Sequence, residues 1–433
     1  MPIPTPGAPT HLRWRVLPLA ATLLLAVALR PATAQDLPHA TPEEVGMSSV
    51  RLERLSDALQ AYVDSGEVAG TATIVVRRGK VVYLEAFGQR DREGRSPMTT
   101  DAIFRIASQT KAPISVGIMM LQEEGKLLIT DRVGKYLPEF LHTTVGVPNG
   151  EGGYDVVPAD RPIVIRDLLT HTAGISYGTG AAAERWEEAG ITGWYFANRD
   201  EPVSATVGRI AGLPMTAQPG TQWVYGYNTD ILGAVIERVS GQPLDIFMRE
   251  HILDPLRMND THFYLPTADR DRLATVYSAT DAGLERAPNP GHMVGQGAYV
   301  DGPRQSFSGG AGFLSTALDY ARFLQMMLNG GELEGVRILA PKTVELMTTD
   351  HLRGIPFRTG QGFGLGFSIV TDLGARGVPG SVGEYGWGGA YHSTYWVDPE
   401  EDLLVVYLTN LIPAGGIDDQ RKVRALIYQA IMD

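Results

Sequence analysis

Apolar positions recur at helical spacing over residues 49–63, where Leu52, Leu55, Leu59, Tyr62 and Val63 share one face, and the pattern stops at Gly66. It predicts an amphipathic helix. Two β-branched runs follow, residues 71–76 and 81–84, separated by Arg78-Gly79, and they read as a hairpin. From about Phe104 to Leu328 the chain reads as helix and loop, with Gly- and Pro-rich stretches at 146–162 and 288–312 as long loops and candidate cleft walls. The last helix of that region begins after Ser315-Thr316, sets Tyr320, Phe323, Leu324, Met327 and Leu328 on one face, and ends at Asn329-Gly330-Gly331. Strand composition then returns at 366–371, 391–397 and 403–409, and residues 418–432 close the chain as a helix.

Strands at both ends with helices between them predict an α/β (α+β) fold in which the two termini build one antiparallel sheet, flanked by helices and carrying an inserted all-helical lobe. The expected division is an α/β lobe over about 35–105 and 330–433 and a helical lobe over about 106–329, with a ligand cleft where they meet.

The first 34 residues stand apart. Arg13 and Arg15 precede an apolar run over 16–29, and Ala32-Thr33-Ala34 supplies a small-x-small cleavage site. That run is shorter than the roughly 20 residues a spanning helix needs. A signal peptide over 1–34 is expected, leaving a protein that begins at Gln35, is periplasmic or secreted, and keeps no stable membrane anchor. The full chain carries a net charge of −12, and removing the leader leaves 34 basic against 49 acidic residues, or −15. Such a field repels phosphate backbones, so nucleic acid is not an expected partner. The chain has no cysteine, which excludes disulfides and thiolate catalysis.

Three segments carry candidate chemistry. In Phe104-Arg-Ile-Ala-Ser108-Gln-Thr-Lys111 the serine opens a helical pattern, and one turn places Ser108 and Lys111 on the same face. A serine hydroxyl needs a neighbouring base, and a desolvated lysine can be neutral near pH 7. Taken alone, Ser-x-x-Lys is a short motif that better describes a helix cap followed by a surface lysine. Pro219-Gly-Thr-Gln-Trp-Val-Tyr225-Gly-Tyr227-Asn228 leads into an apolar helix and leaves two tyrosines at the mouth of a loop, either of which could serve as a general base beside a lysine. Gly386-Trp387-Gly388-Gly389-Ala390 precedes a strand, and its glycines allow a backbone N–H to approach a ligand closely.

Gly174-Ile-Ser176-Tyr-Gly178 also satisfies Gly-x-Ser-x-Gly, the nucleophile elbow of α/β-hydrolases. That motif needs a strand before the serine and a helix after it. Here a short helix over 165–169 precedes and a loop follows, so the match is read as a decoy. The nine histidines show no His-Glu-x-x-His or other metal spacing, and no metal or cofactor is implied. Tyr391 and His392 could both line a pocket, although alternation must turn one of them away. His171 reads as securing a turn.

In this order and at these separations the segments resemble the serine β-lactamase and penicillin-binding superfamily. They resemble more closely the family VIII carboxylesterases, relatives of class C β-lactamases whose third motif is Trp-x-Gly in place of Lys-Thr-Gly. The likeness extends to Ile165-Arg-Asp-Leu-Leu-Thr-His-Thr-Ala-Gly174, Gly309-Gly-Ala-Gly-Phe-Leu-Ser-Thr-Ala317 and Tyr395-Trp-Val-Asp-Pro399. It implies the β-lactamase/D-alanyl-D-alanine-peptidase fold and hydrolysis of a small ester through an acyl-enzyme, with Ser108 as nucleophile, Lys111 as its activating partner and Tyr225 as shared base. The resemblance further assigns the backbone N–H groups of Ser108 and Ala390 to an oxyanion hole and Trp387 to the acyl pocket, beside which Gly389, Asn228 and Tyr391 are candidate substrate contacts. Asn228 lies three residues after Tyr225 where class C enzymes place it two after, which keeps Tyr227 open as the base. Alternative activities are those of a β-lactamase, a D-alanyl-D-alanine carboxypeptidase or an acyltransferase, and from another class a non-catalytic binding module.

Overall fold

In a computed structural model, which describes residues 1–4, 7, 37–150 and 152–433, the sheet is assembled from both ends of the chain. The apolar run over 16–29 and the junction at 34–35 lie outside the described residues. Residues Leu37–Asp433 form one compact unit.

Three strands come from the N-terminal end, β1 (Gly70–Arg77), β2 (Lys80–Asp91) and β3 (Ser96–Pro97). Five come from the C-terminal end, β4 (Gln361–Phe363), β5 (Ser368–Val370), β6 (Tyr385–Gly389), β7 (Ser393–Asp398) and β8 (Leu403–Leu408). The antiparallel order is β4-β5-β6-β7-β8-β1-β2-β3. The seam between the two ends is β1 on β8, in register from Ala72 opposite Leu408 to Arg77 opposite Leu403. Arg78 and Gly79 turn the β1–β2 hairpin with positive φ of 51° and 71°.

Every residue of β1 and β8 is buried, so this antiparallel sheet is covered on both faces. On one side Val75, Val405 and Tyr407 pack with Leu52, Leu55 and Leu59 of α1 (Ser49–Asp64) and with the closing helix over Asp419–Tyr428. Ser48 caps α1 by accepting from the Arg51 amide. On the other side Ile74, Val406 and Leu408 share a core with α2 (Lys111–Glu123), α3 (Ile165–Leu169), α4 (Asn228–Ser240) and α5 (Ala317–Leu328), through Ile118, Leu168, Leu232 and Leu324. Sheet and helices are therefore joined by a continuous apolar core.

Two expectations change. The stretch read as a loop over 146–162 holds an antiparallel ribbon, Thr144–Pro148 against Tyr154–Pro158. The Gly-Trp-Gly-Gly segment is itself strand β6, pairing Trp387 with Tyr395 and Gly389 with Ser393. Ladder partners on β5 and β7 hold a strand that its glycines disfavour.

Candidate active site

The chain reaches Ser108 from a two-residue ladder in which Phe104–Arg105 pairs with Leu314–Ser315. Ala107 then takes φ of 41°, a conformation that a side chain normally avoids at a cost of about 1–2 kcal/mol. A 3₁₀ turn over Ala107–Thr110 follows and runs into α2. Thr110 Oγ1 fastens it, donating to Ala107 O at 2.6 Å and accepting from Phe313 N at 2.9 Å. Ser108 thereby faces a cleft of about 710 Å³ whose lining includes Tyr177, Tyr225, Trp387, Gly389 and Ala390.

Lys111, the first residue of α2, is only 2% exposed. Its Nζ lies 2.6 Å from Gly310 O, 3.1 Å from Tyr177 Oη and 3.2 Å from Ser108 Oγ, and 4.6 Å above the ring centre of Tyr225. An ammonium would donate to all three oxygens. A neutral amine has two N–H bonds, matched by Gly310 O and Tyr177 Oη, and one lone pair left for the Ser108 hydroxyl. That geometry can take a proton from Ser108.

The Gly310 carbonyl is itself held. Asp230, buried on α4, accepts from Gly310 N at 3.0 Å and from Ser308 Oγ at 2.6 Å. Burial pushes the Asp230 carboxyl up, while these hydrogen bonds and Lys111 pull it down. A Cβ on Gly310 would sit 2.5 Å from Asp230 Oδ2, which explains the glycine there.

Tyr177 carries no catalytic signal in the sequence. It lies inside the Gly-x-Ser-x-Gly match, and its burial, reinforced by Tyr225 and Asp230, drives its phenol pKa well above the ordinary value. It stays protonated and supplies Lys111 with an acceptor. No spacing rule marks such a residue, because Tyr177 and Lys111 are neighbours only in the fold. Tyr225 meets Lys111 with its ring face, and its hydroxyl accepts from Trp387 Nε1 at 3.0 Å. Tyr227 turns away, fully buried, and donates to Gly193 O at 2.7 Å.

Ser176 is 1% exposed and locked in a turn. Its Oγ donates to Thr179 O at 2.9 Å and accepts from Thr179 N and Thr216 Oγ1 at 3.0 and 2.9 Å. Trp387 and Gly389 line the cleft beside Ala390. A Cβ on Gly389 would come 2.4 Å from Ile106 O, so its absence lets β6 lie against the Ser108 turn.

Two expected substrate contacts are corrected. Asn228 is fully buried, and its Nδ2 is spent on His171 Nδ1 and on the carbonyls of Val224 and Ile175 at 2.9–3.3 Å. It braces the Tyr225 loop from behind. His171, 4.7 Å from the Tyr225 ring, is kept neutral chiefly by burial, which holds its pKa well below the ordinary imidazole value. Tyr391 is also fully buried, against Trp194 and Ala107. The bend at His392, with φ of 63°, presents His392 to the cleft instead, where Nε2 meets Asp419 Oδ1 at 2.7 Å.

A serine and a lysine on one turn, backed by tyrosines and flanked by a glycine-rich strand of an antiparallel sheet, agree with the sequence profile of the beta-lactamase family, which matches residues 55–429. The chain belongs to that family and is a serine hydrolase. It is 34% identical over 377 residues to the Mycobacterium tuberculosis protein Rv1367c, covering 83% of this chain and 90% of the other. Esterase EstB of Burkholderia gladioli is 31% identical over 387 residues, covering 84% and 91%. Among solved structures, EstCE1, described as a hydrolase with promiscuous acyltransferase activity, superposes with a TM-score of 0.76 at 28% identity, covering 87% of this chain and 98% of that one.

Proposed function

We propose that this chain cleaves carboxylic esters through an acyl-enzyme on Ser108. The observation that carries the reading is the Lys111 amine, placed to take the Ser108 proton at 3.2 Å inside a cleft walled by Trp194, Trp223, Tyr225 and Trp387. Ser108 Oγ attacks the ester carbonyl carbon as its proton passes to Lys111 Nζ. The tetrahedral oxyanion is received by the N–H groups of Ser108 and Ala390, each worth about 3–4 kcal/mol. Collapse breaks the C–O bond, and the departing alcohol takes the proton that Lys111 received, with the Tyr225 hydroxyl in the same cleft as the second group assigned to proton transfer. Water then repeats the sequence on the acyl-enzyme. The name of esterase EstB supports an ester substrate, and the description of EstCE1 as a hydrolase with promiscuous acyltransferase activity supports an acyl acceptor other than water as a second outcome.

Specificity rests on Trp387. The lysine of Lys-Thr-Gly would offer the carboxylate of a β-lactam a charge-assisted hydrogen bond of about 1.5–3 kcal/mol, whereas the indole is neutral and its N–H is committed to Tyr225. Losing that cation costs about 10–100-fold in kcat/KM for antibiotics and nothing for a neutral ester. p-Nitrophenyl butyrate is therefore expected to be turned over with a higher kcat/KM than nitrocefin on the same preparation. A nitrocefin value equal to or above the ester's contradicts the reading.

The apolar run and the Ala32-Thr33-Ala34 site support export to the periplasm or beyond. Intact-mass analysis of exported protein should show a chain beginning at Gln35, within one residue, and retention of residues 1–34 would refute processing there.

A further inference from the structure

The charged side chains lining the cleft are Arg358, Arg376, Arg424 and Glu384. Arg424 grips Glu384 through two 2.7 Å hydrogen bonds, and Arg376 adds a third at 2.9 Å, so two cations share one carboxylate. Arg358 has no ion-pair partner among the described residues. Its guanidinium carbon lies 4.7 Å from the ring centre of Trp387 and 5.4 Å from that of Phe357. Aromatic faces attract the cation but leave its five N–H donors without acceptors. The cleft is thus positive inside a chain of net charge −12, an arrangement that concentrates anions at the site.

Resting on the ester reading, we propose that Arg358 is an anion subsite and that the preferred substrates carry a carboxylate at the far end of the acyl chain, as monoesters of dicarboxylic acids do. Position selects the far end. From Ser108 the contacts run through Lys111, the Tyr225 ring and Trp387 before reaching Arg358, which is solvent-exposed. Two aromatic side chains separate the guanidinium from the nucleophile. A carboxylate at the end of an acyl chain lying along Trp387 is brought to that guanidinium. Arginine suits the place, because a planar fork can stack on an indole and still bind a carboxylate through two parallel N–H bonds.

The test compares two esters with the same six-carbon acyl chain, 4-nitrophenyl hydrogen adipate and 4-nitrophenyl hexanoate, on the full chain. The kcat/KM ratio should favour the monoanion by about tenfold or more, and the preference should shrink as salt rises. Arg358→Gln should lower that ratio about tenfold or more, chiefly through KM for the adipate ester, with Arg358→Lys intermediate. A wild-type ratio of one or less, or a ratio unchanged by Arg358→Gln while hexanoate is still hydrolysed, overturns the subsite and leaves the esterase standing. If neither ester reacts, the ester reading falls, and calorimetric binding of adipate still decides the subsite. Affinity about tenfold weaker in Arg358→Gln supports it, and equal affinity overturns it.

Discussion

Ser108→Ala should lower kcat for p-nitrophenyl butyrate on the order of 10⁴-fold or more, because it removes the attacking atom and leaves only the oxyanion donors and substrate binding. Folding should survive. Ser108 sits on a turn held by Thr110, whose hydrogen bonds to Ala107 and Phe313 are untouched by the substitution. Ser176→Ala is the contrasting variant. Its hydroxyl closes a turn with Thr179 and Thr216, so the substitution should cost about 1 kcal/mol of stability and leave most of the turnover in place. Inactivation by Ser176→Ala in a protein that remains folded would move the nucleophile to the second serine motif.

The next largest effects belong to the groups that move the proton. Lys111→Ala and Tyr225→Phe should each lower kcat by about 10²–10⁴, the range for general acid–base groups. Tyr177→Phe should cost less, roughly tenfold, because Lys111 keeps its bonds to Gly310 and Ser108. The pH profile separates the tyrosines further. Burial raises the Tyr177 pKa, so this group stays a neutral phenol below that raised value, throughout the neutral range, and removing it should leave the inflections of the profile unmoved. Steady-state kinetics across pH on the three variants provide the check. A larger loss in Tyr177→Phe than in Tyr225→Phe would give Tyr177 the proton-transfer role.

Much of this arrangement is legible in the chain because local pattern and tertiary context agree. The periodicity of α1, the β1–β2 hairpin at Arg78-Gly79 and the cap of α5 at Thr316 are local signals with local causes. Likewise, the pairing of Ser108 with Lys111 depends on a single helical turn. Strand β6 was less legible, since Gly386, Gly388 and Gly389 lack the β-branched signature and are kept extended by partners on β5 and β7. Tyr391 and Asn228 were misplaced for a related reason. Sequence distance from a site residue does not report the direction of a side chain, and a bend at His392 and the packing of α4 against the His171 turn settled both. Tyr177, Asp230 and Arg358 carry no motif, and they join the site only when distant segments meet.

Covalent modification of Ser108 is read out by treating the full chain with a p-nitrophenyl phosphonate, digesting it, and locating the added mass by tandem mass spectrometry. The modification is expected on the peptide containing Ser108, one adduct per chain, and absent in Ser108→Ala. An adduct on Ser176, or undiminished labelling of Ser108→Ala, would contradict it.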